Sequence, residues 1–228
     1  MKNKKTKLFK PKEMSSPYST SGIGYDIEHA VQASFLVLML ANGLFTPLSR
    51  KRIVKLELQN RFRKAQTDDL TVYTGDSLSN IYNKMFAQIK RNVKIQQKNK
   101  DFRETIESAW LDFNNDQIFN EETDKLALIT TPLSDTDSCC IKILLDFASE
   151  AKDENEFLLK LETKGHGNKK AVEKLNIIRN IVKHVNVDKE VSDNILWRFL
   201  RVFKVFIYDL DIKGVSLALL HTIIEQYD

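Results

Sequence analysis

The fold is decided by residues 86–130, which read FAQIKRNVKIQQKNKDFRETIESAWLDFNNDQIFNEETDKLALIT. The first part, Phe86–Val93, has the composition of a strand. Residues 102–113 carry apolar side chains at helical spacing, and Lys125–Thr130 predicts a further strand. Strand, helix and strand at this spacing predict two parallel strands joined by a right-handed crossover. We therefore expect an α/β fold.

The preceding residues predict a helix and two more strands. An apolar stripe begins at Asp26 and predicts a helix that ends near Asn42-Gly43. Val54, Leu56 and Leu58 then alternate with polar residues, which indicates a half-buried strand. A second strand is predicted over Leu70–Thr74, followed by a hairpin through residues 75–84. These strands add antiparallel neighbours to the parallel pair, so the predicted sheet is mixed.

Beyond Thr130 the pattern is mainly helical. Ser134 with Asp137 predicts a capped helix start. Val202–Tyr208 has strand composition and predicts an edge strand. Helical spacing predicts further helices over Phe157–Leu161, Val172–Val182, Asn194–Leu200 and Val215–Ile224. We therefore expect a mixed sheet flanked by helices, with a mainly helical C-terminal segment.

Composition excludes several classes of protein. The chain has 228 residues, of which 42% are hydrophobic and 29% charged, as in ordinary globular proteins. The longest apolar run, Phe35–Ala41, is far shorter than the roughly 20 residues that span a bilayer. The two cysteines, Cys139 and Cys140, are neighbours and cannot join distant elements. These features predict no membrane association and a reducing, cytoplasmic location.

The charges are unevenly distributed along the chain. Residues 1–100 contain 19 Lys and Arg against 7 Asp and Glu, whereas residues 101–228 contain 16 against 24. Such a basic half suits a polyanion, because lysine and arginine contacts to phosphate dominate nonspecific nucleic-acid affinity. A solvated face plus a lysine-rich tail is the alternative. Residues 1–21 are predicted to form a flexible basic tail.

Three polar residues are predicted to meet at one edge of the sheet. Asp69 comes just before the strand that begins at Leu70, while Gln88 and Lys90 share a face of the later strand. Ile89, between them, is predicted to point into the core. A carboxylate and an amide oxygen suit Mg²⁺, and a lysine beside them suits phosphodiester hydrolysis.

In this context the chain resembles the PD-(D/E)xK restriction-endonuclease-like superfamily, in the Mrr-like variant with Gln before x-Lys. It is most similar to the double-stranded-DNA nuclease effector domain of bacterial antiphage proteins, which is fused to STAND NTPase or cyclic-oligonucleotide-sensing domains. The similar stretches are GIGYDIE (22–28), TDDL (67–70), AQIK (87–90), AWLDFNN (109–115) and 123–134, with a weaker similarity at YDLD (208–211).

The resemblance implies a role for each site residue. Asp69, Gln88 and the backbone carbonyl of Ile89 would bind Mg²⁺ or Mn²⁺, with Lys90 as the catalytic lysine. Glu28 on the first helix would be the outer acid and a further metal ligand. Asp68 is an alternative to its neighbour Asp69. Because glutamine replaces the more common acid, metal binding would depend on the remaining carboxylates.

The resemblance also implies the function. Residues 22–150 would form a restriction-endonuclease-like core, which residues 151–228 complete as a mainly helical accessory segment. The activity would be metal-dependent cleavage of double-stranded DNA with low sequence specificity, in an antiphage defence protein. Its partners would be a fused or associated sensor or NTPase region and further copies of the chain. The alternatives are a catalytically inactive module that binds DNA and a structural adaptor.

Overall fold

A computed structural model describes residues 22–45, 47–59, 65–163, 169–187 and 190–208. Its elements are α1 (Gly22–Leu40), β1 (Arg52–Leu58), β2 (Leu70–Ser77), β3 (Asn80–Lys90), α2 (Lys100–Phe113), β4 (Lys125–Thr130), α3 (Asp135–Glu150), α4 (Glu154–Glu162), α5 (Lys169–Val185), α6 (Asp193–Val202) and β5 (Phe203–Ile207). The predicted basic tail and the helix predicted over Val215–Ile224 lie outside the described residues. None of the helices described here combines the length and the apolar character that crossing a bilayer requires.

The strands form one sheet in the order β1-β2-β3-β4-β5. β1, β2 and β3 are antiparallel, whereas β3, β4 and β5 run parallel. The predicted α/β class, with a mixed sheet flanked by helices, is therefore confirmed. The parallel pair joined through α2 and the edge position of β5 are confirmed with it.

The boundaries predicted for β3 were wrong at both ends. The strand begins at Asn80 instead of Phe86, and it ends at Lys90 instead of Val93. At its start, the polar residues Asn80, Asn83 and Lys84 interrupt the apolar pattern and are held in the strand by backbone pairing with β2. At its end, Asn92 adopts a left-handed φ of 54° that extended pairing does not allow. The wide hairpin that was predicted is in fact tight.

Gly75 lies where this hairpin is narrowest. A Cβ atom at this position would come within 2.2 Å of the backbone oxygen of Asn80. The pairing between β2 and β3 also shifts register on both sides of Gly75. Only a residue without a side chain permits the two backbones to approach this closely.

Two hydrophobic clusters sandwich the sheet. The larger cluster lies under α2 to α6 and contains an aromatic group of Trp110, Phe113 and Phe199. The smaller cluster lies under α1 and includes Ile89, as predicted. Since strand side chains alternate between faces, the residues on either side of Ile89 face the larger cluster. This alternation places Gln88 and Lys90 on the same face as Asp69.

Candidate active site at the carboxyl edge of the sheet

The candidate site lies where the parallel strands end. Lys90, the last residue of β3, pairs with Thr130, the last residue of β4, and Thr130 pairs with Ile207 at the end of β5. Asp69 reaches the same edge because β2 runs in the opposite direction and begins at Leu70. In open α/β sheets, ligands bind outside the carboxyl ends of the strands.

The Asp69 carboxylate is the centre of the cluster. It is only 8% exposed, and its Oδ2 atom accepts a hydrogen bond from Nε2 of Gln88. The backbone N–H of Ile89 donates to the same oxygen at 2.8 Å, and Nζ of Lys90 lies 3.5 Å from it. The structure thus brings together the acid, the amide and the amine that the sequence placed at one edge.

The backbone of Asp69 is fixed as firmly as its side chain. Its carbonyl oxygen accepts hydrogen bonds from the N–H of Gln59 at 3.2 Å and from Nε2 of Gln32 at 3.1 Å. Of the two adjacent acids, Asp69 is the one whose side chain joins Gln88 and Lys90. The side chain of Asp68 lies close enough to that of Asp112 for its charge to raise the pKa of the Asp112 carboxyl.

Glu28 lies on α1, which covers the other face of the sheet, and it is connected to Asp69 through Gln32. Its Oε1 atom accepts hydrogen bonds from Nε2 of Gln32 and Nε2 of Gln59, both at 3.2 Å. Because Gln32 also binds the carbonyl of Asp69, one buried amide connects the two acids. Gln32 was not among the predicted site residues, although its position one turn after Glu28 is the pattern that identifies it.

Asp112 is a second residue that the sequence analysis did not identify. It is buried at the end of α2 and accepts the backbone N–H groups of Gln66 at 2.8 Å and Thr67 at 2.7 Å. Burial raises the pKa of its carboxyl, while these two bonds act in the opposite direction. The carboxylate therefore positions the segment that leads to Asp69. An acid within the apolar stripe of α2 was the available signal.

Two buried hydroxyl groups flank the cluster without a partner. Oγ1 of Thr71 and Oγ1 of Thr130 form no hydrogen bond within the described part of the chain. Thr71 follows Asp69 by two residues on the same face of β2, and Thr130 lies beside Lys90. Buried polar groups are normally satisfied, so these hydroxyls indicate that a further polar group is accommodated here.

The oxygen atoms at this edge suit a hard divalent cation. Oδ1 of Asp69 receives none of the three donors that reach Oδ2. The N–H and C=O of a strand residue face the same neighbouring strand, so the carbonyl of Ile89 turns toward the Asp69 side. Carboxylate, amide and carbonyl oxygens together form a magnesium-type donor set. Among the described residues, however, no three His, Cys, Asp or Glu side chains are grouped as metal ligands.

Comparison with known proteins does not assign the chain to a family. No protein-family model, no curated protein and no solved structure matches it.

Proposed function

We propose that the protein is a metal-dependent endonuclease of the PD-(D/E)xK type, which hydrolyses phosphodiester bonds of double-stranded DNA with low sequence specificity. The observation that carries the proposal is the convergence of Asp69, Gln88 and Lys90 at the carboxyl edge of the sheet. The buried hydroxyls beside them and the basic first half of the chain support it.

Each residue has a distinct role in this proposal. Asp69, Gln88 and the carbonyl of Ile89 would hold Mg²⁺ or Mn²⁺, with Glu28 as the outer acid. The cation, when bound, supplies Lewis-acid polarisation of the phosphoryl oxygen and lowers the pKa of an attacking water. Lys90 stabilises the negative charge that develops on the phosphate. Its side chain is 24% exposed, so the ammonium group is accessible to DNA.

The biological setting is proposed from the resemblance. It suggests the nuclease effector of an antiphage defence protein that acts in the cytoplasm, with a fused or associated sensor or NTPase region. Cleavage of both strands of a duplex needs two active sites, whereas the described residues form one such cluster. We therefore expect the active form to be a homo-oligomer.

One observation favours a second candidate function, a catalytically inactive module that binds DNA or serves as an adaptor. Within the described ranges, the carboxylates identified at the site are those of Asp69 and Glu28, and they are connected through Gln32. Gln88 contributes no negative charge. A weakly charged centre of this kind could hold DNA without cleaving it.

Plasmid nicking distinguishes the two functions. The nuclease should cut supercoiled DNA in Mg²⁺ or Mn²⁺ and lose this activity in excess EDTA. Asp69→Asn should abolish cleavage and weaken Mn²⁺ binding in calorimetry, which reports on the metal site without depending on activity. Undiminished cleavage in EDTA would exclude the metal mechanism. DNA binding without cleavage in any divalent metal would favour the inactive module.

A further inference from the structure

The loop between β3 and α2, residues 91–99, carries three positively charged side chains. It begins directly after Lys90 and carries Arg91, Lys94 and Lys98, all exposed. None of these three forms an ion pair within the described part of the chain, and the loop contains no acidic residue. Cations without an ion pair thus lie in the loop that directly follows the strand carrying Gln88 and Lys90.

The loop is held against the protein by its own apolar and polar residues. Val93 and Ile95 are buried in the larger cluster. The backbone N–H of Asn92 donates to Oγ1 of Thr131 at 2.9 Å, which attaches the loop to the end of β4. Lys94 lies between these two buried residues, and its side chain is therefore directed to solvent.

A buried ion pair fixes the centre of the loop. Oδ1 of Asp137 lies 2.5 Å from Nζ of Lys174. Oδ2 of Asp137 accepts the N–H of Ile95 at 3.1 Å, and Nζ of Lys174 donates to the carbonyl oxygen of Ile95 at 2.9 Å. Both backbone groups of one loop residue are thus bound by opposite charges. Desolvating two charges costs several kcal/mol per ion, and here the pair defines the shape of a loop.

We propose that loop 91–99 binds the phosphate backbone of duplex DNA beside the scissile bond, through Arg91, Lys94 and Lys98. This inference rests on the proposed function and specifies how its substrate is held. Duplex DNA carries about one negative charge per 1.7 Å of axis, so three neighbouring cations meet several phosphates. Because the loop is already ordered, little conformational entropy is lost on binding.

The salt dependence of binding tests the proposal without requiring cleavage. A labelled DNA duplex is titrated with the Lys90→Ala protein between about 50 and 200 mM salt. The test variant adds Arg91→Gln, Lys94→Gln and Lys98→Gln. The slope of log K against log salt is negative, and each lost phosphate contact makes it less steep by about 0.9. We therefore expect the magnitude of the slope to fall by about 2.7 in the test variant.

The matched control removes the same charge elsewhere. Lys51→Gln, Lys152→Gln and Lys183→Gln, in the same Lys90→Ala background, change three lysines outside the loop, of which Lys51 and Lys152 are exposed and Lys183 is partly exposed. The control should retain the parent slope. Equal slopes in the test and control variants would overturn the loop proposal. The expected slope change in a protein whose wild type never cleaves DNA would support the loop and reject the nuclease. A loop-dependent preference for RNA would overturn duplex DNA as the partner.

Discussion

Two aspartate–lysine pairs lie close to the carboxyl edge of the sheet, and they differ in geometry. Asp137 and Lys174 are 2.5 Å apart, and their side chains are 9% and 11% exposed. Asp69 and Lys90 are 3.5 Å apart, and the lysine is 24% exposed. The first lysine also donates to a backbone carbonyl, whereas the hydrogen bond described for the second goes to its aspartate alone.

The difference separates a structural pair from the pair that we propose to be reactive. Lys174 contacts two oxygens, and its side chain is only 11% exposed. Lys90 is held loosely at the edge of the protein, so a phosphate could replace Asp69 as its partner. Identical residue types can therefore be assigned to stability or to chemistry by their separation, their exposure and their remaining hydrogen bonds.

The largest expected effect is on the structural pair. Lys174→Ala leaves Asp137 buried without a counter-ion and the carbonyl of Ile95 without a donor, so the free energy of unfolding should fall by about 3 to 5 kcal/mol. Urea denaturation measures this change. Lys142→Ala is the control, because its pair with Asp146 on α3 is exposed and should contribute less than about 1 kcal/mol. Equal losses would contradict the assignment.

Ile89 tests the register of the strand that carries the proposed catalytic lysine. Ile89→Ala should leave a cavity in the smaller cluster and cost about 2 to 5 kcal/mol of stability, with any loss of nicking following the unfolding. Thermal melting and nicking rate are measured on the same preparation. The exposed Leu58 on β1 provides a control, since Leu58→Ala should have little effect. An unchanged melting temperature for Ile89→Ala would show that this residue does not face the core.

Lys90 should behave in the opposite way to its neighbour. Lys90→Ala should lower plasmid nicking by about two orders of magnitude or more, the scale for removing one electrostatic stabiliser, and should barely change stability. Lys55→Ala is a suitable control, because Lys55 also pairs with an acid on a strand, at a similar exposure. Nicking by Lys90→Ala at the wild-type rate would exclude the Gln88-x-Lys90 assignment.

The smallest expected effect concerns Asp112, whose buried carboxyl has a pKa raised above the ordinary value of 3.8. Because the folded state holds the proton more tightly, the stability from this group is full below that value and is lost as pH rises through the folded pKa. Asp112→Asn removes the titration. The stability advantage of the wild type over this variant should therefore shrink with rising pH.

Urea denaturation of both proteins, from below the ordinary carboxyl pKa to neutrality, measures this difference. Using the difference removes the contribution of every other carboxylate, since those groups titrate in both proteins. A difference that does not depend on pH would show that Asp112 titrates alike in the folded and unfolded states.

Local patterns predicted much of the fold and the central residues of the site. Period-two alternation identifies β1, and strand spacing places Gln88 and Lys90 on one face. These features depend on residues close together in sequence. The start of β3 was missed because its first residues are exposed and are held by pairing with β2, which is a tertiary effect.

The residues that hold the loop after β3 could not be predicted from the sequence, because their contacts are also tertiary. Asp137 and Lys174 bind a loop residue that lies 42 and 79 positions away in sequence. A short motif carries no information on such distant partners. An acid on the apolar face of an amphipathic helix is the local trace, as in the case of Asp112.

The close contact between Gly75 and Asn80 has a consequence for the opposite edge of the sheet. From the paired Ile81 to Lys90 the strand extends roughly 30 Å at about 3.3 Å per residue. A side chain at Gly75 would push the hairpin apart, and a slip of one residue would turn every side chain of β3 to the other face. Lys90 and Gln88 would then point toward α1, and Ile89 would take their place. The pairing at Gly75 thus determines which face of the sheet each side chain of β3 occupies. The polar cluster at the carboxyl edge therefore depends on the absence of a methyl group at the other end of the strand.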